Sequence, residues 1–540
     1  MINRRTRTTL FRKLVKWTAF GASVLAALAL TDGAWAQSSD ALLNTLVKKG
    51  ILTEREAESI KAETAAAQTN NGPAVELSKW RIGDAIKSVE LFGDIRLRYE
   101  DRDAKAPDYT SVRLQRFRYS LRFGLRGDIK DDFYYGFRLE TASNPRSPWV
   151  TFGSSTSGVP YQGPFGKSTA GINLGEIYLG WRPAPWVDLT VGKMPNPLYT
   201  TPMVWDGDLN PEGAAERFKY SVGNADLFAT FGQFVYEDTN PNQTTGNFFP
   251  SFPLGQSSAQ PFLLAWQIGA AYHVDKDISV KVAPVLYSYT GVGTDSSTGL
   301  TGNNSGSPGF GDAYVGEGAN YAAGQIGGGA YTGYSGYPAG PFAGFASDQT
   351  GINDLLVVEV PAEVDFKIAK LNARVFGDFA ENLDGAARAA AAANAITTFN
   401  NGIGEPVGVQ NVNPIPVEAH QDMAYQAGFA IGNKDALGLV YGTTSKKNAW
   451  EARAYWQHIE QYALDPNLID SDFFEGRENL QGLFSAFAYG FTDNMIGTIR
   501  YGYASRIDSK LGTGGSNQDI PQVNPIRQYQ ILQLDLTCRF

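Results

Sequence analysis

Cysteine and histidine are scarce in this chain of 540 residues, which contains one cysteine and three histidines. A lone Cys538 excludes an internal disulfide framework and any CxxC-type metal or redox site. His273, His420 and His458 are far apart in sequence, and no Ser-His-Asp arrangement or EF-hand calcium loop is visible. We therefore expect no metal site, no cofactor and no enzymatic activity.

Long apolar runs are also missing, apart from TAFGASVLAALAL near the N-terminus. Basic residues precede this run and Ala34-Trp35-Ala36 ends it, which is the pattern of a secretory signal peptide over residues 1–36. No later run reaches the ~18 residues that a membrane-spanning helix requires. The mature chain is thus predicted to be exported without a helical anchor.

Excess positive charge is absent as well, because the formal net charge of the chain is −9. The predicted signal peptide carries six basic residues and one acid, so its removal takes the net charge from −9 to −14. A chain this acidic is a poor partner for nucleic acid, which is recognised through positive charge.

What the chain does contain is glycine, tyrosine and phenylalanine, with 59, 26 and 31 residues, arranged in alternating patterns. Residues 113–129, RLQRFRYSLRFGLRGDI, place large apolar side chains at odd positions from 117 to 125 and polar or small ones at even positions. A period of two predicts a β-strand. Within a membrane barrel the apolar face must meet lipid, because arginine in hydrocarbon costs ~2–4 kcal/mol near the midplane. The arginines are therefore expected to face the lumen.

Segments of this kind, each roughly ten residues long, recur from residue 88 onward and are joined alternately by tight turns and long loops. This pattern predicts an all-β fold, a transmembrane antiparallel β-barrel. The count is about sixteen strands if AYQAGFAIGNKDALGLVYG (424–442) is one long bulged strand, and eighteen is the alternative. Residues 37–68 are predicted to form a periplasmic helical hairpin, residues 69–87 a linker and residues 88–540 the barrel.

Arginines on the first three strands are expected to form a basic wall in the lumen, extended across the barrel closure by one arginine near the C-terminus. The predicted wall comprises Arg96, Arg98, Arg116, Arg118, Arg122, Arg126, Arg138 and Arg500. Facing it we place the loop at 195–213, whose Asp206, Asp208 and Glu212 would form an acidic constriction. The alternative is a surface loop with solvated acids. Asp470 and Asp472, in a predicted external loop at 462–477, are also expected to be solvated.

The final strand ends in Phe540, preceded by apolar residues at alternate positions. A terminal aromatic residue in this pattern resembles the signal that the barrel assembly machinery reads. Cys538 falls on the apolar face of that strand, where it is expected to be a small apolar filler.

Several longer stretches resemble the "putative porin" family of Gram-negative outer membranes. They are FGDIRLRYE (92–100), GKMPNPLYTTPMVWDGDLNPEG (192–213), YGTTSKKNAWEARAYWQHIE (441–460) and the helical segment LLNTLVKKGILTEREAESI (42–60). The resemblance implies a sixteen-stranded barrel, passive diffusion of small hydrophilic solutes or ions, and often a homotrimer. The expected surroundings are outer-membrane lipid and the barrel assembly machinery, with the N-terminal segment in the periplasm.

A different class of function stays open, namely a structural or adhesive outer-membrane barrel whose pore is closed. For a channel, the arginines of the wall favour a weak preference for anions, whereas the net charge of −14 argues for cations. The sequence alone names neither the solute nor the role of the loops at 291–353 and 384–420.

Overall fold

The computed structural model describes residues 83–107, 109, 111–142, 147–153, 171–236, 262–290, 355–387, 389, 421–433, 436–509, 511, 513, 519–520, 523 and 526–540. The predicted signal peptide, the helical hairpin and most of the linker lie outside these residues, as do most of the loops at 291–353 and 384–420. Among the described residues, no helix is long and apolar enough to cross a membrane.

Sixteen antiparallel strands, all within the described residues and named here in chain order, make up the barrel. They are β1 Glu90–Lys105, β2 Ser111–Asp128, β3 Phe133–Ala142, β4 Gly171–Ala184, β5 Val187–Lys193, β6 Glu212–Val222, β7 Ala225–Val235, β8 Phe262–His273, β9 Ser279–Val282 with Val285–Thr290, β10 Leu356–Glu359 with Ala362–Ile368, β11 Leu371–Asn382, β12 Met423–Gly432, β13 Trp450–Ile459, β14 Leu480–Gly490, β15 Met495–Arg506 and β16 Gln528–Arg539. A short strand, Val150–Thr151, pairs with β2 where β3 has already ended.

Each strand pairs with its neighbours in sequence, and β1 pairs with β16 from Asp94↔Arg539 to Lys105↔Gln528, which closes the barrel. The interruptions in β9 and β10 fall at Ala283-Pro284 and Val360-Pro361, which lie side by side. Proline cannot donate to the ladder, so both strands break at the same level. The predicted count of sixteen is confirmed.

The single bulged strand predicted over residues 424–442 is wrong, although the even count that it was invoked to preserve is right. Strand β12 ends at Gly432, and residues 436–449 form turns instead of pairing with a neighbouring strand. They pack among inward-facing side chains of the barrel wall. We call residues 436–449 the inner turn.

The two ends of the barrel differ in how the strands are connected. At one end, here called the turn end, the connections other than the one that contains the inner turn are short, as in Gly223-Asn224 between β6 and β7. Gly223 has φ +57° there, a value that glycine adopts without steric cost. At the opposite loop end the connections are long, as the sequence predicts, except for residues 106–110 between β1 and β2. Two of them, residues 194–211 and 460–479, turn inward. The first is mostly half-buried, and the second is mostly buried.

The two faces of each strand separate as the period of two predicts. On β2, Phe117 is 61% exposed on the outside of the barrel, while its neighbour Arg118 is 6% exposed on the inside. Aromatic pairs such as Phe133 with Trp181 and Trp450 with Phe487 stack on the outer face near the turn end. Such belts are typical of the membrane interface of outer-membrane barrels.

Phe540 continues the seam that closes the barrel. Its N–H donates to the carbonyl of Gly93 at 3.1 Å, and the Gly93 N–H donates back to the Phe540 carbonyl at 2.9 Å. A side chain at position 93 would collide with the Phe540 ring, so the aromatic ring occupies the space that glycine leaves open.

A charge placed on the outer face should test which surface meets lipid. We expect Leu121→Arg, at the middle of β2, to lower the free energy of unfolding by ~2–4 kcal/mol, and Val222→Arg, beside the turn end, by ~0–1 kcal/mol. Leu121 and Val222 are both exposed apolar residues, so the two variants differ in depth. Denaturant titration of protein refolded in lipid vesicles measures both, and equal losses would contradict the proposed membrane band.

Candidate functional site: the charged lumen

The arginines of the predicted wall are paired with acids on the strands beside them. The register places Arg122 opposite Asp94, Arg116 opposite Glu100 and Arg126 opposite Glu90 on β1 and β2. The corresponding nitrogen–oxygen distances are 2.9, 2.6 and 2.7 Å. Across β3 and β4, Arg138 lies opposite Glu176 and forms an ion pair with it. Much of the wall is therefore a lattice of alternating charges, in which opposite signs face each other across strands, although Arg98 lies opposite Arg118.

Arg98 is the most enclosed of the eight arginines of the predicted wall. Its Nε donates to Asp535 Oδ1 at 2.7 Å on β16, and its Nη1 and Nη2 donate to both carboxylate oxygens of Asp472 at 2.5 and 3.0 Å. Arg500 on β15 pairs with the same Asp535. One guanidinium thus joins the two strands of the closing seam to the loop at 460–479.

Trp149 covers the same group of arginines. It lies next to the short strand Val150–Thr151, on the inner face, and is 1% exposed. Its ring centroid is 4.1 Å from the Cζ atom of Arg98, 4.9 Å from that of Arg96 and 5.8 Å from that of Arg118. Cations over an indole face are attracted by its quadrupole, and the ring excludes water from the pairs beneath it.

A second buried group lies nearer the loop end, around Glu100. This carboxylate accepts from Arg102 at 2.9 Å and from Arg116 at 2.7 Å, and it lies 3.8 Å from Arg118. Asp519, in the connection between β15 and β16, lies 3.1 Å from Arg102 and 2.5 Å from Arg116. Burial opposes ionisation of Asp519, but the three arginines outweigh it and lower the pKa of its carboxyl.

The loop between β5 and β6 crosses the lumen. Residues 194–211 include most of the loop predicted above to form a constriction, and we call them the constriction loop. Tyr199 N–H donates to Gln267 Oε1 on β8 at 2.8 Å. Thr200 Oγ1 donates to Glu359 on β10 at 2.6 Å, and Thr201 Oγ1 donates to Asp378 on β11. Met203, Val204 and Trp205 are buried against inward-facing residues such as Phe234 and Leu263. Hydrogen bonds and apolar burial together therefore hold the loop inside the barrel.

The three acids predicted for the constriction have different positions. Asp208 points at the wall, 3.6 Å from Arg96 and 3.5 Å from Arg122. Asp206 is 6% exposed, and its carboxylate accepts from Ser471 at 3.3 and 3.4 Å, which joins the constriction loop to the loop at 460–479. Glu212 is not in the loop, because it begins β6 and forms an exposed pair with Lys193 at 2.6 Å.

The loop at 460–479 enters the lumen, so the expectation that Asp470 and Asp472 are solvated external acids is wrong. Burial, followed by the charges of Asp472 and Asp208, raises the pKa of Asp470 to about 7, although Arg500 opposes the shift. Burial and the charge of Asp470 also raise the pKa of Asp206. Burial would raise the pKa of Asp472 too, but Arg98 and Arg500 outweigh it, and the net shift is downward.

Arg126 lies closer to the turn end than the other predicted wall residues. It lines a cavity of 380 Å³ together with Tyr134, Tyr178, Arg182, Arg217 and the start of the constriction loop at Met194–Pro197. The Arg126 side chain is half exposed and its ring contact is with Phe92. The cavity is thus a water-accessible chamber on the turn-end side of the constriction loop.

Alternation in the sequence identifies the inward face, but the interpretation of that face as a basic wall missed its acids. Asp94 and Glu100 share a parity with Arg96 and Arg98, and Asp535 lies on the polar face of the last strand, so the signal for these acids was present. Trp149 carried no such signal, because it follows Pro148 within a predicted loop. Within the described residues, no cluster of His, Cys, Asp and Glu could hold a metal ion.

Solved structures similar to this chain include outer-membrane proteins of low sequence identity. In-vitro folded OmpT, an outer membrane protein of Vibrio cholerae, is 10% identical, with 85% of this chain and 100% of that chain covered and a TM-score of 0.35. A mutant of the Rh. blastica porin is 9% identical, with 84% and 100% covered and a TM-score of 0.34. No curated protein matches the chain in sequence.

A family model matches most of the chain. The model is described as "Putative porin", and the match extends over residues 103–540, from the end of β1 to the C-terminal residue. It includes the whole constriction loop, the loop at 460–479 and the strands that carry Arg116 to Arg500. The barrel lies in the outer membrane, and the chain belongs to the "Putative porin" family, as its motifs predicted.

Proposed function

We propose that the barrel is an outer-membrane channel for passive diffusion of small hydrophilic solutes or ions. The observation that carries the proposal is the constriction loop, which leaves the wall after β5, crosses the lumen and presents Asp208 to Arg96 and Arg122 at 3.6 and 3.5 Å. An acidic loop facing arginines creates a transverse field in the narrow part of a pore. Such a field favours polar solutes and disfavours apolar ones.

The pairing of the arginines sets how strongly this channel discriminates between ions. Arg98, Arg116, Arg122 and Arg138 each have at least one carboxylate within hydrogen-bond distance, and these acids belong to the wall as well as to the loops. A charge-balanced lumen orients dipoles but concentrates neither sign of ion. We therefore propose weak ion selectivity in place of the anion preference that the arginines alone suggest.

The channel is oriented with its turn end toward the periplasm, because short connections are periplasmic in outer-membrane barrels. The N-terminal segment then lies in the periplasm, and residues 1–36 are removed as a signal peptide during export. Phe540, at the end of the closing strand, serves as the signal for the barrel assembly machinery. The outer apolar face contacts lipid and, in a homotrimer, the neighbouring copies.

Planar-bilayer recording of the refolded protein tests the channel directly. Stepwise, ohmic current increments of constant size support passive diffusion, and liposome swelling with sugars of increasing size measures the exclusion limit. Correctly folded protein that carries no current would instead support a structural or adhesive barrel with a closed pore.

Charge reversal at the constriction should change ion selectivity. We expect Asp208→Lys to shift the reversal potential in a salt gradient toward anions, because it adds positive charge beside Arg96 and Arg122 and removes their partner. Glu212→Lys makes the same change in charge at the exposed start of β6 and should leave selectivity close to wild type. Equal shifts of the reversal potential in the two variants would show that the overall charge of the protein, and not the constriction loop, determines ion selectivity.

The contact between the constriction loop and the loop at 460–479 should weaken as pH rises. The pKa of Asp470 is raised from 3.8 to about 7, so its carboxyl is neutral in acid and adds negative charge beside Asp208 and Asp472 as the pH passes that value. A raised carboxyl pKa means stability is lost with increasing pH. We expect more open-channel current noise at pH about 8 than at pH about 5.

Asp470→Asn is the matched control for this titration. The carboxamide oxygen of the variant would still accept the Asp472 N–H, which is 2.7 Å from Asp470 Oδ1, but the side chain cannot ionise. The noise of this variant should stay low across the range. A pH dependence that survives the substitution would assign the effect to another group.

A further inference from the structure

The inner turn differs from the other connections at the turn end. The neighbouring connections at 369–370, between β10 and β11, and at 491–494, between β14 and β15, are short. The chain between β12 and β13 instead enters the lumen through residues 436–449. The constriction described above makes no use of this segment.

The base and the backbone of the inner turn are fixed by local hydrogen bonds. Asn433 Nδ2 donates to the Asn448 carbonyl at 2.7 Å, and the Trp450 N–H donates to Asn433 Oδ1 at 2.9 Å. Gly438 and Gly442, with φ +99° and +65°, supply conformations that other residues adopt only with strain. The inner turn therefore has a defined backbone conformation, which its own hydrogen bonds and glycines support.

Charged residues of the wall hold the segment inside the barrel. Glu451 on β13 is fully buried, and its Oε2 accepts the N–H groups of Gly438 and Val440, each at 2.9 Å. Arg500 on β15 donates from Nη2 to the Val440 carbonyl at 2.8 Å. The segment is thus attached to β13 and β15, which are not adjacent strands.

The side chains of the inner turn have different surroundings. Ala436, Leu439 and Val440 are fully buried in one cluster with wall residues, and the same cluster contains Phe473 and Phe474 of the loop at 460–479. The inner turn enters from the turn end and the loop at 460–479 enters from the loop end, and the two therefore meet along this part of the wall. Leu437 packs against the edge of this cluster and, with Thr444, lines a cavity of 440 Å³, whose remaining lining includes Asp365, Lys367 and Arg374.

We propose that the inner turn is a second constriction, which narrows the turn-end vestibule and sets the size of solute that passes, with Leu437 and Thr444 at its edge. This rests on the proposed channel function. The lining of the cavity carries both signs of charge, so the chemical class of solute it suits is small, hydrophilic and without a strong net charge.

Cysteine modification at Leu437 tests the second constriction. In a Cys538→Ala background, Leu437→Cys is treated in the bilayer with a cationic or an anionic methanethiosulfonate reagent. We expect a stepwise loss of single-channel current after either reagent, and shifts of the reversal potential in opposite directions for the two adducts. Leu439→Cys is the matched control, because Leu439 lies two residues away and is fully buried against the wall. It should be neither labelled nor blocked.

Two outcomes would overturn the inference. A conducting channel that keeps its current and reversal potential after mass spectrometry confirms the Leu437→Cys adduct would exclude a second constriction while leaving the channel function intact. Absence of current from folded, unmodified protein would overturn both. A further check does not depend on cysteine. Glu451→Gln replaces the carboxylate that accepts the N–H groups of Gly438 and Val440, so it should loosen the inner turn and raise the current noise. Unchanged noise would count against the inference.

Discussion

The structure depends on the neutralisation of arginines that the strand pattern forces into the lumen. Arg98 shows the constraint most clearly, because it is 3% exposed and would be very costly to bury without its carboxylates. Asp535 on β16 forms an ion pair with Arg98 across the seam that closes the barrel, and Asp472 forms a second ion pair with it from an inward-folded loop. Removing one partner of such a pair typically costs about 3–5 kcal/mol. Closure of the barrel and docking of the loop are thus linked through one side chain.

The same requirement explains why loops occupy so much of the lumen. Glu359 and Asp378 are buried on the inner wall and accept hydrogen bonds from the hydroxyl groups of Thr200 and Thr201 in the constriction loop. Glu451 accepts hydrogen bonds from two backbone N–H groups of the inner turn. In each case a wall carboxylate fixes a segment that enters the barrel, and apolar residues of that segment then pack behind it.

Alternation along the chain was sufficient to predict the strands and their inward and outward faces, whereas their even number followed from keeping short turns and long loops at opposite ends. A period of two leaves only two choices of face, and the cost of arginine in lipid decides between them. It was not sufficient for residues 437–442, where LGLVYG has the composition of a strand but turns inward. Local composition does not distinguish an apolar segment that pairs at the wall from one that packs inside it, because both bury apolar area.

The sequence by itself therefore determined the barrel, the arginine face of β1 to β3 and the loop after β5, since each follows from periodicity or from a local motif. The tertiary structure decided which charges meet. The pairing of Arg122 with Asp94, of Arg116 with Glu100 and of Arg98 with Asp472 depends on strand register and loop path. Register is fixed by contacts between residues far apart in sequence, and such contacts exist only after the barrel has closed.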